Sequence, residues 1–180
     1  MGKSDLLLEL YSNLSTTGAL SFSSKALVNK MLSHADFKDA KLIVELGGGD
    51  GSITQGIVDR LDPDAELLVF EISKSFCDSM EKLFPQKNVR IINDSAENIA
   101  KYLDGRKVDY VLSSLPFSFI AQEVKNQILT QSKIALNQNG FFIQICYSYM
   151  LKTLFKKYFD HVNTSFTLKN LPPAFVMVCR

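Results

Sequence analysis

Residues 44–51, VELGGGDG, place four glycines within positions 47–51, directly behind an apolar run that carries one acid, Glu45. Such a loop suits a strand that must turn at once into a helix, because glycine accepts positive φ and lets a ligand approach bare backbone. Its place is then the carboxyl end of a strand, the edge at which open α/β sheets bind ligands. A phosphate-binding P-loop needs G-x-x-x-x-G-K-[ST], and that lysine is missing. A dinucleotide fingerprint, G-x-G-x-x-G, begun at Gly47 would need its third glycine where Ser52 stands. The spacing that fits is acidic-x-G-x-G-x-G, with Glu45 leading Gly47, Gly49 and Gly51. A second unusual stretch, SSLPFSF from residue 113, sets a proline at the end of another apolar run.

The elements needed to position these stretches follow from the apolar pattern. From residue 41 onward, short runs rich in β-branched and aromatic residues alternate with stretches of helical spacing. The expected strands are KLIVEL (41–46), ELLVFE (66–71), NVRIIN (88–93), VDYVLS (108–113) and GFFIQICY (140–147). Each is apolar nearly throughout, as strands covered on both faces are. SITQGIVDRL and SKSFCDSMEKLF supply helices between them. This alternation predicts an α/β fold with a doubly wound, mainly parallel sheet and right-handed crossovers. HVNTSFTL (161–168) and AFVMVC (174–179), joined by KNLPP, leave no room for a helix and must pair antiparallel. Seven strands ending in a hairpin result. SDLLLELYSNL and SSKALVNKMLSHA, in the first 40 residues, each begin at a serine able to cap a helix. The expectation is one domain over 1–180, a helical extension (1–40) preceding a cofactor-binding core (41–180).

The acid-led glycine loop resembles motif I of S-adenosylmethionine-dependent methyltransferases, and the sheet plan resembles their class I fold. The resemblance implies that Glu45, Gly47, Gly49 and Gly51 pack against the amino-acid end of the cofactor. It places Glu71, ending the second strand, where a carboxylate accepts both ribose hydroxyls. Asp94, ending the third, would accept the adenine amino hydrogens; it serves equally as a helix cap, and the roles are compatible. Ile72, Ser95 and Ser113 complete the implied cofactor contacts. NAD is the alternative cofactor, since an acid ending the second strand suits its ribose too.

Ser114-Leu115-Pro116-Phe117 satisfies [DNS]-x-P-[YFW], the motif that N-methyltransferases acting on amino groups carry after the fourth strand. By that resemblance the Ser114 hydroxyl and Leu115 carbonyl each accept an N–H and aim the lone pair at the methyl group, an alignment that lowers the barrier. Pro116 stiffens the turn, and Phe117 offers a π face to the sulfonium or a product ammonium. More of the chain, from about residue 17 to the end, resembles bacterial phospholipid N-methyltransferases. TGALSFSSKALVNKM (17–31), SSLPF, GFFIQICYSYM and NLPPAFVMVCR carry that likeness, with Phe22 where the family has proline and Cys146 where threonine is common. It implies methylation of an aminophospholipid amine, such as that of phosphatidylethanolamine, at a membrane surface. Tyr147 would relay the proton, orient the headgroup, or simply pack on the site wall.

The rRNA adenine dimethylases share the proline motif but carry N-L-P-Y, a G-Q-[NH]-F-L stretch and a further helical domain, none of which this sequence has. A nucleobase or small-molecule amine is therefore the alternative acceptor. A non-catalytic module that keeps the fold is a third possibility, which the intact motifs argue against. A lipid amine adds a demand, since its pKa near 10 makes deprotonation at neutral pH cost about 3–4 kcal/mol unless a base or desolvation helps.

Composition narrows the classes. With 46% apolar and 22% charged residues and a net charge of +1, the chain is globular and lacks the basic excess of a stable nucleic-acid binder. Cys77, Cys146 and Cys179 form no C-x-x-C pair, and His34 and His161 have no ligand-like neighbours, so no metal site is expected and the thiols read as reduced and cytosolic. No apolar run approaches 18 residues, which predicts neither a membrane span nor a secretory leader. Residues 1–35 hold Lys3, Lys25 and Lys30 against Asp5 and Glu9, a weak attraction to anionic lipid. Leu6, Leu7, Leu8, Leu10 and Leu14 either insert shallowly or cover the substrate-side edge of the sheet. The expected setting is the cytoplasm, with visits to the inner membrane surface.

Overall fold

A computed structural model describes residues 23–180. The leucine-rich helix expected near the start, and Phe22, lie outside the described residues. The first element, α1 (Lys25–Leu32), is capped by Ser24, whose Oγ accepts the Leu27 N–H at 3.2 Å. Then follow β1 (Leu42–Leu46), α2 (Ser52–Val58), β2 (Glu66–Phe70), α3 (Lys74–Leu83), β3 (Val89–Ile92), a 3₁₀ helix (Ala96–Tyr102) and β4 (Val108–Ser113). The chain ends with α4 (Gln122–Ala135), β5 (Leu136–Cys146), α5 (Leu151–Phe155), β6 (Val162–Thr167) and β7 (Ala174–Cys179).

All seven strands form one sheet in the order β3-β2-β1-β4-β5-β7-β6. The first five are parallel; β7 runs antiparallel to both β5 and β6. The strand alternation divides the core. Leu42, Val44 and Leu46 face a layer built by α4, α5 and the 3₁₀ helix, while Ile43 faces α1, α2 and α3. Both faces of β1 are therefore covered, which is why its burial is unbroken and its sequence apolar.

The crossover between β3 and β4, for which the sequence named no helix, is a 3₁₀ helix. The fifth strand is longer than expected, because α4 runs into β5 with no loop and Leu136 already pairs with Val108, while residues 137–140 bulge before pairing resumes at Phe141. The β4–β5 register shifts between Val108 and Tyr110. There a Cβ on Gly140 would lie 2.9 Å from the carbonyl oxygens of Val108 and Asp109, so only glycine fits. The three cysteines are buried and unpaired. Burial pushes the Cys77 thiol up to about 11 and that of Cys179 to about 12, and raises Cys146 as well.

Candidate active site

The parallel strands deliver their motif residues to one edge. Ser113 pairs with Leu46 on one side and Gln144 on the other, so the glycine loop, the SSLPF turn and the end of β5 stand abreast. The glycine loop is fixed from below: the N–H groups of Gly47 and Gly48 both donate to the Phe70 carbonyl, at 2.9 and 3.2 Å. Gly47 has φ +82°, and a Cβ there would press on the Ser114 hydroxyl and the Leu115 side chain, each at 3.1 Å. Gly49 has φ +53°, and a Cβ there would meet nothing within 4 Å. The loop thus presents bare backbone to open space, the cradle that the amino-acid end of a cofactor requires.

Glu71 reaches into this loop. Its Oε2 accepts the Gly49 N–H at 2.9 Å and its Oε1 the Ser73 N–H at 2.8 Å. Burial raises its pKa, against the pull of those backbone donors. Two acceptor sites on the carboxylate remain for a diol. The cleft that Glu71 lines mixes polar and apolar groups. Gly47, Glu71, Asp94 and Ser95 supply the first; Phe70, Ile72, Ala96, Leu115, Pro116, Ile120, Val124 and Ile128 supply the second.

Asp94 lines the cleft and also anchors the 3₁₀ helix. It accepts from the Ser95 N–H at 2.7 Å, the Asn98 amide at 2.8 Å and the Tyr102 hydroxyl at 2.8 Å. Partial burial works to raise its pKa, but those three donors outweigh it and the net shift is downward. The formal cap of the helix is Ser95, its Oγ accepting the Glu97 N–H at 3.4 Å.

Glu45 lies on the opposite face of the sheet, beneath the loop. One oxygen accepts from the Thr54 hydroxyl at 2.8 Å; Oε1, fully buried, has no partner. Burial lifts its pKa to about 8, opposed by the Thr54 bond and reinforced by the nearby charges of Glu71 and Asp50. Because the acid is held protonated in the fold but ionises near 4.5 in the unfolded chain, the fold binds more protons than the unfolded state between those values. Its contribution to stability is complete below the usual carboxylate range and is lost as pH rises through about 8. Thermal midpoints of the ligand-free protein should therefore fall across pH 5–8, and Glu45→Gln should flatten that slope.

The acceptor motif is tied to the donor loop. Ser114 donates its hydroxyl to the Gly47 carbonyl at 2.8 Å and its N–H to the Leu46 carbonyl at 3.0 Å. With its one hydrogen committed, the Ser114 oxygen can only accept from anything else. Ser113 is fully buried, its Oγ accepting the Leu115 N–H at 3.3 Å. Two expectations need correction here. The Leu115 carbonyl does not stand free: it accepts the Phe117 N–H at 2.8 Å, closing a three-residue turn on Pro116, and the Gln144 side-chain amide at 2.9 Å. Both lone pairs are used. Phe117 does not offer its ring to the cleft either. It is 1% exposed and packs edge-on against Phe142 and Phe155, at centroid distances of 6.4 and 5.5 Å.

Tyr147 stands off the cleft wall at the end of β5, half-exposed. Partial burial raises its pKa, with a hydrogen bond to Asn170 pulling back. A tyrosine so placed stays protonated at neutral pH and can donate or relay, but cannot act as a resting base. His34 contacts Ser165 at 3.2 Å on the outer strand β6, away from the cleft.

Gln144 is the residue that sequence reasoning passed over. It is wholly buried, its amide nitrogen holding the Leu115 carbonyl and its Oε1 unpartnered. Its legible signal was a lone amide inside the apolar FFIQIC strand. Gln144→Met keeps the volume and removes that bond together with the one the amide donates to the Ile145 carbonyl, each worth about 1 kcal/mol. We expect a turnover loss of up to about tenfold with an unchanged cofactor Kd, read by steady-state kinetics beside calorimetry.

Residues 43–140 match the methyltransferase domain family. The chain belongs to that family. This S-adenosylmethionine-dependent methyltransferase is 29% identical, over 90% of its length and 87% of the other's, to an ornithine lipid N-methyltransferase of Singulisphaera acidiphila. It is also 28% identical to a ribosomal RNA small subunit methyltransferase A of Mycoplasma mycoides, over 66% of its own length and only 44% of that protein. The precorrin-6y C5,15-methyltransferase of Geobacter metallireducens shares its fold, with a TM-score of 0.70 at 12% identity over 88% of this chain and 89% of that one. The cofactor supplies a methyl group on a positively charged sulfur; the methyltransferase's own residues must seat it, aim the acceptor and exclude water.

Proposed function

We propose that this methyltransferase acts on the amine of an aminolipid, with Glu71 accepting the cofactor ribose hydroxyls and Asp94 reading the adenine edge. Glu45 and the loop of Gly47, Gly49 and Gly51 take the amino-acid end. Ile72, Ser95 and Ser113 support those contacts. The observation that carries the reading is the composition of the cleft: Leu115, Pro116, Ile120, Val124 and Ile128 line it beside the acceptor motif's turn, and among the described residues no lysine or arginine lines it to grip phosphates. The likeness to an ornithine lipid N-methyltransferase across most of both chains supports it.

The same apolar wall bears on the proton problem. An ammonium moved against it loses hydration, and desolvation lowers an amine's pKa toward neutrality. Having given one proton to water as it enters, the neutral amine donates an N–H to the Ser114 oxygen, which aims its lone pair. Tyr147, protonated and within reach of solvent, relays the proton released after transfer. The Leu115 carbonyl contributes through the turn that it and Gln144 fix, rather than as an acceptor.

A nucleobase amine is the second reading, favoured by the proline motif and by the likeness to the rRNA enzyme. Incubation with methyl-labelled S-adenosylmethionine, total lipid extract and total RNA, followed by separation and counting, decides between them. Label in the aminolipid fraction supports the proposal. Label confined to RNA, or absent from both, overturns it.

A further inference from the structure

The strongly exposed large apolar side chains of the described residues are not scattered. Leu83 and Ile134 lie at helix ends on the far edge of the sheet, and Phe119 follows the SSLPF turn. The rest gather in two neighbouring loops: Tyr147, Tyr149 and Met150 after β5, and Phe166, Leu168 and Leu171 around the β6–β7 tip. Register places them beside the cleft. Cys146 pairs with Phe175, and Thr167 with Ala174, so the hairpin tip projects from the same edge as Ser114. Met150, Leu168 and Leu171 are 83%, 75% and 85% exposed. A soluble surface rarely gathers such side chains without a partner.

The patch is braced. Phe175 packs against Tyr149 at 5.6 Å and against Phe166 at 4.9 Å, joining the two loops. Buried Asn170 holds the hairpin tip to α1, accepting the Ser24 N–H at 3.0 Å and donating to the Pro172 carbonyl at 2.8 Å. Its charge is one-sided. Lys169 stands in the β6–β7 tip and Lys152 rides over the Tyr149 ring at 5.4 Å, with no acid among residues 147–157 or 163–175, although the whole chain is nearly neutral at +1. Asp160, at the other end of β6, is paired with Lys133 at 3.7 Å. Tyrosines at headgroup level, aliphatic tips below them and lysines beside them are the chemistry of a bilayer interface.

We propose that this edge is the surface by which the protein docks on an anionic bilayer, the β6–β7 tip and the Tyr149–Met150 loop inserting so that the cleft mouth meets the headgroups. The inference rests on the aminolipid reading for its purpose, but its physical test is separate. Full-length protein should co-sediment with vesicles of phosphatidylglycerol and phosphatidylcholine, and at least about tenfold more weakly with phosphatidylcholine alone. The variant M150E/L168E/L171E should lose at least tenfold in binding to the anionic vesicles while keeping its thermal midpoint and its turnover of detergent-dispersed aminolipid. Unchanged vesicle binding by that variant, or none by the parent protein, overturns the proposal; the first result would hand bilayer contact to another segment, such as residues 1–22. Tight vesicle binding lost in the variant, but with no label transferred to any lipid, upholds the docking surface and sinks the aminolipid reading. Transfer in detergent without vesicle binding does the reverse.

Discussion

Glu71→Ala is expected to weaken S-adenosylmethionine binding by at least about 100-fold. A carboxylate accepting two ribose hydroxyls makes two charge-assisted bonds of about 1.5–3 kcal/mol each, and each 1.4 kcal/mol is tenfold in Kd. The same substitution strips the acceptor from the Gly49 and Ser73 N–H groups, so the glycine loop should loosen and the thermal midpoint fall as well. From the sequence alone, Glu71→Ala would leave the fold untouched; the two backbone bonds revise that expectation. Glu71→Gln separates the effects, since its carbonyl can still serve one donor, and should fall between the parent and the alanine variant in both readouts. Calorimetric titration with the cofactor, beside thermal unfolding, measures them together. An unchanged Kd in a folded alanine variant would remove Glu71 from the ribose.

Phe117→Ala should act mainly on stability. Emptying a fully buried phenylalanine site costs about 3–5 kcal/mol, and for a chain of this length each kcal/mol lowers the midpoint by roughly 2–4 °C. The expected drop is on the order of 10 °C. Phe142 and Phe155 would face the void, and the Leu115–Pro116 turn would lose its backing. Phe117→Leu, which refills part of the volume, should recover most of the midpoint. A variant as stable as the parent but crippled in turnover would put the ring back at the reacting atoms.

The parts of the site legible in the sequence are those whose signal is local. Glu45, the glycines behind it and Glu71 could be placed because a strand end, a loop and an acid each announce themselves within a few residues. The seven strands were legible for the same reason, alternation of period and burial. Strand ends were less so, since LNQN reads as a polar loop and only Leu136, paired with Val108, ties it to the sheet before the bulge. What escaped was set by contacts distant in sequence. Gln144 lies 29 residues from the carbonyl it binds, and nothing near Leu115 says that both its lone pairs are spoken for. Phe117 was read as facing the cofactor because its motif allows it. The ring turns away because Phe155, on a helix 38 positions later, completes an apolar nest for it.

The buried cysteines have a consequence for how this protein opens. Cys77 sits on α3 with its thiol against the Glu71 carbonyl, while Cys146 and Cys179 end β5 and β7 on the other face. Since the thiolate is the reactive form, all three are closed to oxidants and alkylating reagents while the fold holds. Each becomes a clock for a different opening. Cys77 dates the loosening of the helix that follows Glu71; Cys146 and Cys179 date the parting of the hairpin from the parallel sheet. If the cofactor tightens only its own half, its addition will slow the first clock and leave the other two running at their former pace.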